Sequence, residues 1–179
     1  MPLNEYQNKN LHSFENEINT RLDFLKFILS VSGLKLDPAL VTVIWDSLLL
    51  RSNAAEQQLG FSILLSLCSD QFFSVEAYQL LINDRFPKLN LQVINTTAFF
   101  LLERLFILVN SIENKIENSN NLEELTITSF DLIGLPTFWS LVLRSEDSQV
   151  AERSFTFLYT LLNRVGLKKK VEFLCGKKK

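Results

Sequence analysis

Two segments of the sequence repeat one succession of residues. Residues 44–67 (IWDSLLLRSNAAEQQLGFSILLSL) and residues 138–162 (FWSLVLRSEDSQVAERSFTFLYTLL) each contain a Trp, then an Arg-Ser pair, then an Ala-Glu pair, and finally a Phe in an apolar run. A helix hairpin needs a bulky apolar anchor, a tight polar turn and a small residue where its second helix approaches the first. We therefore predict two hairpins that turn at Arg51-Ser52 and Arg144-Ser145. The predicted buried anchors are Trp45 and Trp139, and the predicted small residues are Ala55 and Ala151.

Helix signals recur along the rest of the chain. Apolar residues follow a capping Ser13 at three- and four-residue spacing as far as Gly33. Asp37 then places a capping carboxylate before Pro38, which suits the first turn of a second helix. Later helices are predicted to begin at Asn53, at Ser74, near Asn95, and at Asp147 or Ser148. With only five Gly, four Pro and no sustained two-residue alternation, the sequence predicts essentially no β-structure.

The spacing of the two hairpins predicts how the helices are arranged. Trp45 and Trp139 are 94 residues apart in the sequence, which is about two periods of an armadillo or HEAT repeat. We predict an all-α fold of antiparallel helix hairpins stacked as an armadillo/HEAT-like solenoid segment; a helical bundle that reuses these residues by chance is the alternative. The predicted organisation is a disordered N-terminus at 1–11, a single helical-repeat domain at 12–166 with a mobile Asn-rich loop at 110–122, and a basic tail at 167–179.

Charge and hydropathy disfavour several classes of partner. Six of the eighteen basic residues lie in the last twelve positions, so residues 1–167 carry 12 basic and 19 acidic side chains. A body of that sign repels a phosphate backbone, and we predict no nucleic-acid partner. The most apolar run, residues 97–109, is interrupted by Glu103-Arg104 and is shorter than a membrane span, and the N-terminus has no signal-peptide pattern. Two cysteines are too few for a disulfide framework, so we expect the cytoplasm or also the nucleus.

The inventory of reactive side chains predicts no catalytic, cofactor-binding or metal-binding residue. A thiol hydrolase would need Cys68 or Cys175 beside a base, and His12 is the sole histidine. A zinc site lacks four ligands at suitable spacing, and the five glycines are too scattered for a phosphate-binding loop. The basic tail with Cys175 is either a targeting or lipidation segment or a solvated end, and both interpretations stay open.

Four segments, taken in order, resemble one protein family. They are INTRLDFLKFIL, VIWDSLL, FFLLERLFILVN and LIGLPTFWSLVLRSEDSQVAERSFTFLYTLL, and the match spans residues 18–165. They resemble the non-catalytic helical region of the very large ubiquitin-specific proteases of the fat-facets type, in which RLxFLxFxL, IWxxL, FxRFFxxVN-like and LIGLxxLW helices follow one another. Residues 132–135, which read LIGL and contain Gly134, are with Trp139 the most specific part of the match.

The resemblance implies a scaffold segment of a deubiquitinase. Such a segment would recruit substrate, adaptor or ubiquitin to a catalytic domain outside this chain. The Cys and His boxes of that catalytic domain have no counterpart here, so the resemblance carries no catalytic residue to this chain, and the Asn-rich loop replaces charged residues of the family. A free-standing helical-repeat adaptor unrelated to ubiquitin is the alternative. Partner identity, binding face and oligomeric state stay open.

Overall fold

The computed structural model describes residues 3–49, 53–117 and 126–163, with side chains from residue 16 onward. Where the sequence predicts one domain over 12–166, the chain divides into two compact units, Met1–Ser74 and Val75–Lys179. Three predicted features lie outside the described residues: the turn at Arg51-Ser52, the end of the predicted domain at residue 166 and the basic tail.

The described residues of the first unit form three helices, which are α1 (Leu3–Ser32), α2 (Pro38–Leu49) and α3 (Ala54–Ser69). Because no Gly or Pro interrupts residues 3–32, α1 starts ten residues before the predicted cap at Ser13, and that predicted start is wrong. The same helix includes residues 3–11 of the segment predicted to be disordered. The start of α2 has the predicted arrangement: Pro38 is its first residue, and the Asp37 carboxylate accepts a hydrogen bond from the Leu40 N–H at 2.8 Å.

Helices α2 and α3 pack around a buried tryptophan. Trp45 is 1% exposed and meets the ring of Phe61 edge-on, with 6.3 Å between ring centroids. The predicted small residue, Ala55, is exposed in the first turn of α3, so its assignment to the helix contact is wrong. Gly60 lies at the contact instead, since a Cβ atom there would approach Leu49 Cδ2 to 2.9 Å. Gly60 follows Ala55 by five residues, so the two residues point in well-separated directions around the helix axis.

The second unit is built mainly from helices that follow one another along the chain. Its elements are α4 (Val75–Leu80), a π-helical turn (Leu81–Arg85), two 3₁₀ turns (Phe86–Lys88 and Leu91–Val93), α5 (Thr96–Ile112), β1 (Ile116–Glu117), β2 (Thr126–Ile127), α6 (Leu135–Arg144) and α7 (Ser148–Asn163). The strands pair antiparallel with Ile116 opposite Ile127, and both side chains are buried. Each strand has only two residues, so the described part of the chain has almost no β-structure, as predicted. The predicted loop at 110–122 begins too early because α5 continues to Ile112.

A cluster of phenylalanine rings forms the core between α5, α6 and α7. The ring centroids of Phe106 lie 5.3 Å from those of Phe138 and 5.4 Å from those of Phe157. Phe138 is fully buried, whereas Trp139 is 44% exposed, so the prediction of Trp139 as the buried anchor is wrong. Adjacent helical residues differ in direction by about 100°, and it is Phe138 whose direction points into the cluster. Trp139 consequently lies at the edge of the hairpin.

Two further positions explain the packing of α6 and α7. Gly134 has φ +84°, and a Cβ atom there would lie 2.6 Å from Ile82 Cδ1, so both the backbone conformation and the close contact require glycine. On α7, the predicted small residue Ala151 is partly buried. The fully buried small residue is Ser154, one turn further along the same helix.

Candidate functional site

An open groove of about 780 Å³ lies along α5 and α7 in the second unit. Helix α5 contributes Phe99, Phe100 and Glu103 to its lining. Helix α7 contributes Gln149, Glu152, Arg153, Thr156, Phe157 and Thr160. Two of these side chains, Phe99 and Phe157, belong to the buried aromatic core. This feature, called here the α5–α7 groove, therefore combines a rigid apolar floor with polar walls.

Glu103 is the acidic residue of α5, and its side chain is only partly accessible to solvent. Burial raises the pKa of the Glu103 carboxyl above its ordinary value of 4.5, and the positive charge of Arg153 acts in the opposite direction to a smaller extent. Within the described ranges, no hydrogen bond or ion pair is made to this carboxylate. The charged form of Glu103 is thus poorly solvated and has an unused capacity to accept hydrogen bonds.

Arg153 is held against an aromatic ring on the wall of the groove. Its Cζ atom lies 5.1 Å from the centroid of the Phe100 ring, a cation–π arrangement. Phe100 is 39% exposed. Arg153 makes no ion pair with Glu103 or Glu152 within the described part of the chain. The groove therefore carries two carboxylates and one guanidinium, which gives it an excess of negative charge.

A stripe of exposed apolar side chains runs along α1 in the first unit. Phe24 and Phe27 are each 65% exposed, Val31 is 72% exposed, and Ile28 completes the stripe. These positions are separated by three or four residues, so they share one face of the helix. A contiguous apolar face of this kind marks a surface on which another element or protein packs.

The outer side of α6 and α7 carries a second apolar surface. Trp139 lines a small depression of about 50 Å³. The other lining residues are Ile127, Phe130, Leu132, Leu135, Leu158, Leu161 and Leu162. The depression is far smaller than a ligand pocket, so Trp139 lies on a shallow apolar surface rather than in a binding cavity.

Of the three reactive side chains considered in the sequence, the structure describes one. Cys68 is fully buried in α3, where it packs as a small apolar residue. His12 and Cys175 lie outside the described side chains. No group of three His, Cys, Asp or Glu side chains that could hold a metal ion occurs among the residues described. None of the described helices is both long and apolar enough to cross a bilayer.

Comparison with models of known protein families identifies the family of this chain. The family model of the UBP24/USP9X/USP9Y ARM repeat matches residues 2–110. The chain belongs to this family. The resemblance to fat-facets-type ubiquitin-specific proteases is thereby confirmed, and the fold is all-α and armadillo-like. In this family the ARM repeat is a non-catalytic region. No curated protein sequence matches the chain. The matched residues of the ARM repeat end in α5, so α7, the other wall of the groove, follows the matched region.

Sequence reasoning missed the groove residues. Glu103 stands out in the sequence only as an interruption of the apolar run at residues 97–109. A lone carboxylate in an otherwise apolar helix is a usable signal of a binding site, because burying a carboxylate is unfavourable unless it is paired or hydrogen-bonded. The contribution of Arg153 had no comparable signal, since α7 carries several exposed polar residues and only the fold determines which of them face α5.

Proposed function

We propose that this chain is a non-catalytic scaffold segment of a fat-facets-type deubiquitinase. It would hold a substrate, an adaptor or ubiquitin near a catalytic domain that lies outside these 179 residues. The observation that carries the proposal is the ARM-repeat match over residues 2–110. Helical repeats of this kind present extended surfaces to other proteins, and binding rather than chemistry is their usual contribution.

The surfaces of the chain support a role in protein binding. The α1 stripe and the exposed Trp139 offer apolar contacts, and the α5–α7 groove adds polar and charged ones. Interfaces between proteins combine apolar centres with polar rims, and Trp and Arg are enriched where binding energy concentrates. Two cysteines in 179 residues suit a reducing compartment, and we propose the cytoplasm or the nucleus as the place of action.

A deletion in the full-length protein tests the proposal. Residues 3–163 would be removed from the intact protein, and two activities would be compared with those of the undeleted protein. For a fluorogenic ubiquitin substrate, which needs only the catalytic domain, we expect kcat/KM to change by less than about twofold. Removal of ubiquitin from protein conjugates in cells is expected to fall, because those substrates depend on recruitment.

The two activities separate the possible outcomes. If both fall together, the segment is needed by the catalytic domain itself and the scaffold proposal is wrong. If neither falls, the segment has no recruiting role. A gene product that contains no protease domain would instead favour the free-standing helical adaptor.

A further inference from the structure

Two carboxylates face the α5–α7 groove without an ion pair or a hydrogen bond from the described part of the chain. Glu103 lies on α5 and is partly buried, and Glu152 lies opposite on α7 and is exposed. Neither takes part in an ion pair or in a side-chain hydrogen bond within the described ranges. A partly desolvated carboxylate that accepts no hydrogen bond is a costly feature, and a cationic partner would offset that cost.

The cation already present in the groove lies over an aromatic ring. Arg153 is placed over Phe100, with 5.1 Å between its Cζ atom and the ring centroid, and the ring stabilises the guanidinium. Its charge acts on the Glu103 carboxyl, but the two side chains form no ion pair. The groove consequently keeps a net negative charge while offering an exposed aromatic ring, Phe100, beside the carboxylate. A ligand with one positive charge and an adjacent apolar group complements both features.

We propose that the α5–α7 groove binds an extended peptide segment of a partner protein that presents a lysine or arginine side chain to Glu103. The groove volume of about 780 Å³ accommodates several side chains of a peptide. Gln149 and Thr156 stand two helical turns apart on α7, and their polar side chains are placed to bond a peptide backbone that runs along the groove. The apolar stem of the incoming lysine or arginine would pack on the exposed part of Phe100 that Arg153 leaves uncovered, while its charged end reaches Glu103.

The charge of the groove selects this partner over others. A phosphate-bearing ligand, whether a phosphopeptide or a nucleic acid, would be repelled by two carboxylates, and the single guanidinium is already engaged with Phe100. The inference rests on the proposed function, because it specifies which kind of protein segment the scaffold recruits.

Selection from a random peptide library tests this inference. The purified 179-residue chain would be used to select binders from a phage-displayed library of random dodecapeptides, and the dissociation constant of a selected peptide would be measured by fluorescence anisotropy. The same peptide would be measured against Glu103→Gln and against Glu117→Gln, a matched change of an exposed glutamate in β1. A second peptide, with the selected Lys or Arg replaced by Met, completes a double-mutant cycle.

The inference predicts selected peptides enriched in Lys or Arg next to an apolar residue. Glu103→Gln should weaken the basic peptide by about tenfold and leave the Met peptide unchanged, because the lost contact is a charge-assisted hydrogen bond. Glu117→Gln should bind both peptides as the unchanged chain does. Selected peptides without basic residues, or equal binding to the chain and to Glu103→Gln, would overturn the inference. The proposed function would survive that result if the deletion of residues 3–163 still impaired removal of ubiquitin from protein conjugates.

Discussion

The side-chain amide of Asn110 pairs with both backbone polar groups of Ile133. Its Oδ1 atom accepts a hydrogen bond from the Ile133 N–H at 2.8 Å, and its Nδ2 atom donates to the Ile133 carbonyl at 3.0 Å. The other N–H of Nδ2 donates a hydrogen bond to the Phe106 carbonyl, with 2.9 Å between nitrogen and oxygen. The oxygen and both N–H groups of this fully buried amide therefore have hydrogen-bond partners. Asn110 ends the FFLLERLFILVN segment and Ile133 belongs to the LIGL segment. Two motifs that resemble the deubiquitinase family in sequence therefore meet in space.

We predict that Asn110→Ala lowers the free energy of unfolding by about 1–3 kcal/mol, because it leaves the N–H and carbonyl of Ile133 without partners. Urea denaturation followed by tryptophan fluorescence measures the change. Asn110→Asp keeps the acceptor but loses both donors and buries a charge, so it should be the more destabilising substitution at neutral pH. Unchanged denaturation midpoints for both variants would contradict the bonding described here.

Neighbouring aromatic residues on α6 should respond very differently to truncation. Phe138→Ala removes a fully buried ring from the phenylalanine cluster and is expected to cost about 3–5 kcal/mol. Trp139→Ala removes a residue that is 44% exposed and should cost only about 1–2 kcal/mol. Thermal denaturation of the two variants compares them directly. A larger loss for Trp139→Ala would mean that Trp139, and not Phe138, anchors the hairpin.

Gly60→Ala tests the close contact between α2 and α3. A Cβ atom at Gly60 would lie 2.9 Å from Leu49 Cδ2 and 3.0 Å from Leu48 Cβ, and relieving this overlap costs about 1–3 kcal/mol. The better helix propensity of alanine offsets about 1 kcal/mol of that cost. We therefore expect net destabilisation in chemical denaturation, while Ser62→Ala on the exposed side of the same helix should be nearly neutral. A Gly60→Ala variant more stable than the original chain would disprove the contact.

Glu103 predicts a pH-dependent difference in stability. Its carboxyl has a pKa above 4.5 in the folded chain and returns to its ordinary value on unfolding, so the folded state binds the proton more tightly. Stability contributed by this proton is present below pH 4.5 and is lost as pH rises through the folded pKa. Glu103→Gln, which is permanently neutral, should therefore raise the melting temperature at pH 7, and the gain should vanish below pH 4.5. An equal gain at both pH values would assign the effect to packing.

The Glu103→Gln prediction also separates binding from folding. The same substitution should weaken peptide binding while it stabilises the chain. A loss of affinity in this variant is thus not a consequence of unfolding. Functional sites often show this opposition between stability and activity.

Local features of the fold were predictable, and features that depend on distant residues were not. The helix starts at Asn53, near Asn95 and at Asp147 follow from side chains that accept hydrogen bonds from backbone N–H groups two or three residues later. Such caps involve only neighbours in the sequence. The choice between Phe138 and Trp139 as anchor depends instead on where α5 and α7 lie, and the sequence offers two adjacent aromatic residues of similar hydrophobicity.

The candidate site shows the same limit. The lone charge of Glu103 in an apolar run is visible in the sequence, but its neighbours in space are not. Arg153 follows Glu103 by fifty positions, and only the packing of α7 against α5 brings it to the groove. Likewise, Ala55 is predicted at the helix contact only because it is a small residue next to the turn. That Gly60 occupies this contact depends on how α3 is rotated against α2.

We propose that this armadillo-like segment serves a deubiquitinase whose catalytic domain lies outside it. The most direct test is to immunoprecipitate the native protein with an antibody to this chain and treat it with ubiquitin that carries a cysteine-reactive C-terminal group. We predict a labelled species much larger than a 179-residue chain, with a mass increase of one ubiquitin. An unlabelled species of the size of this chain would contradict it.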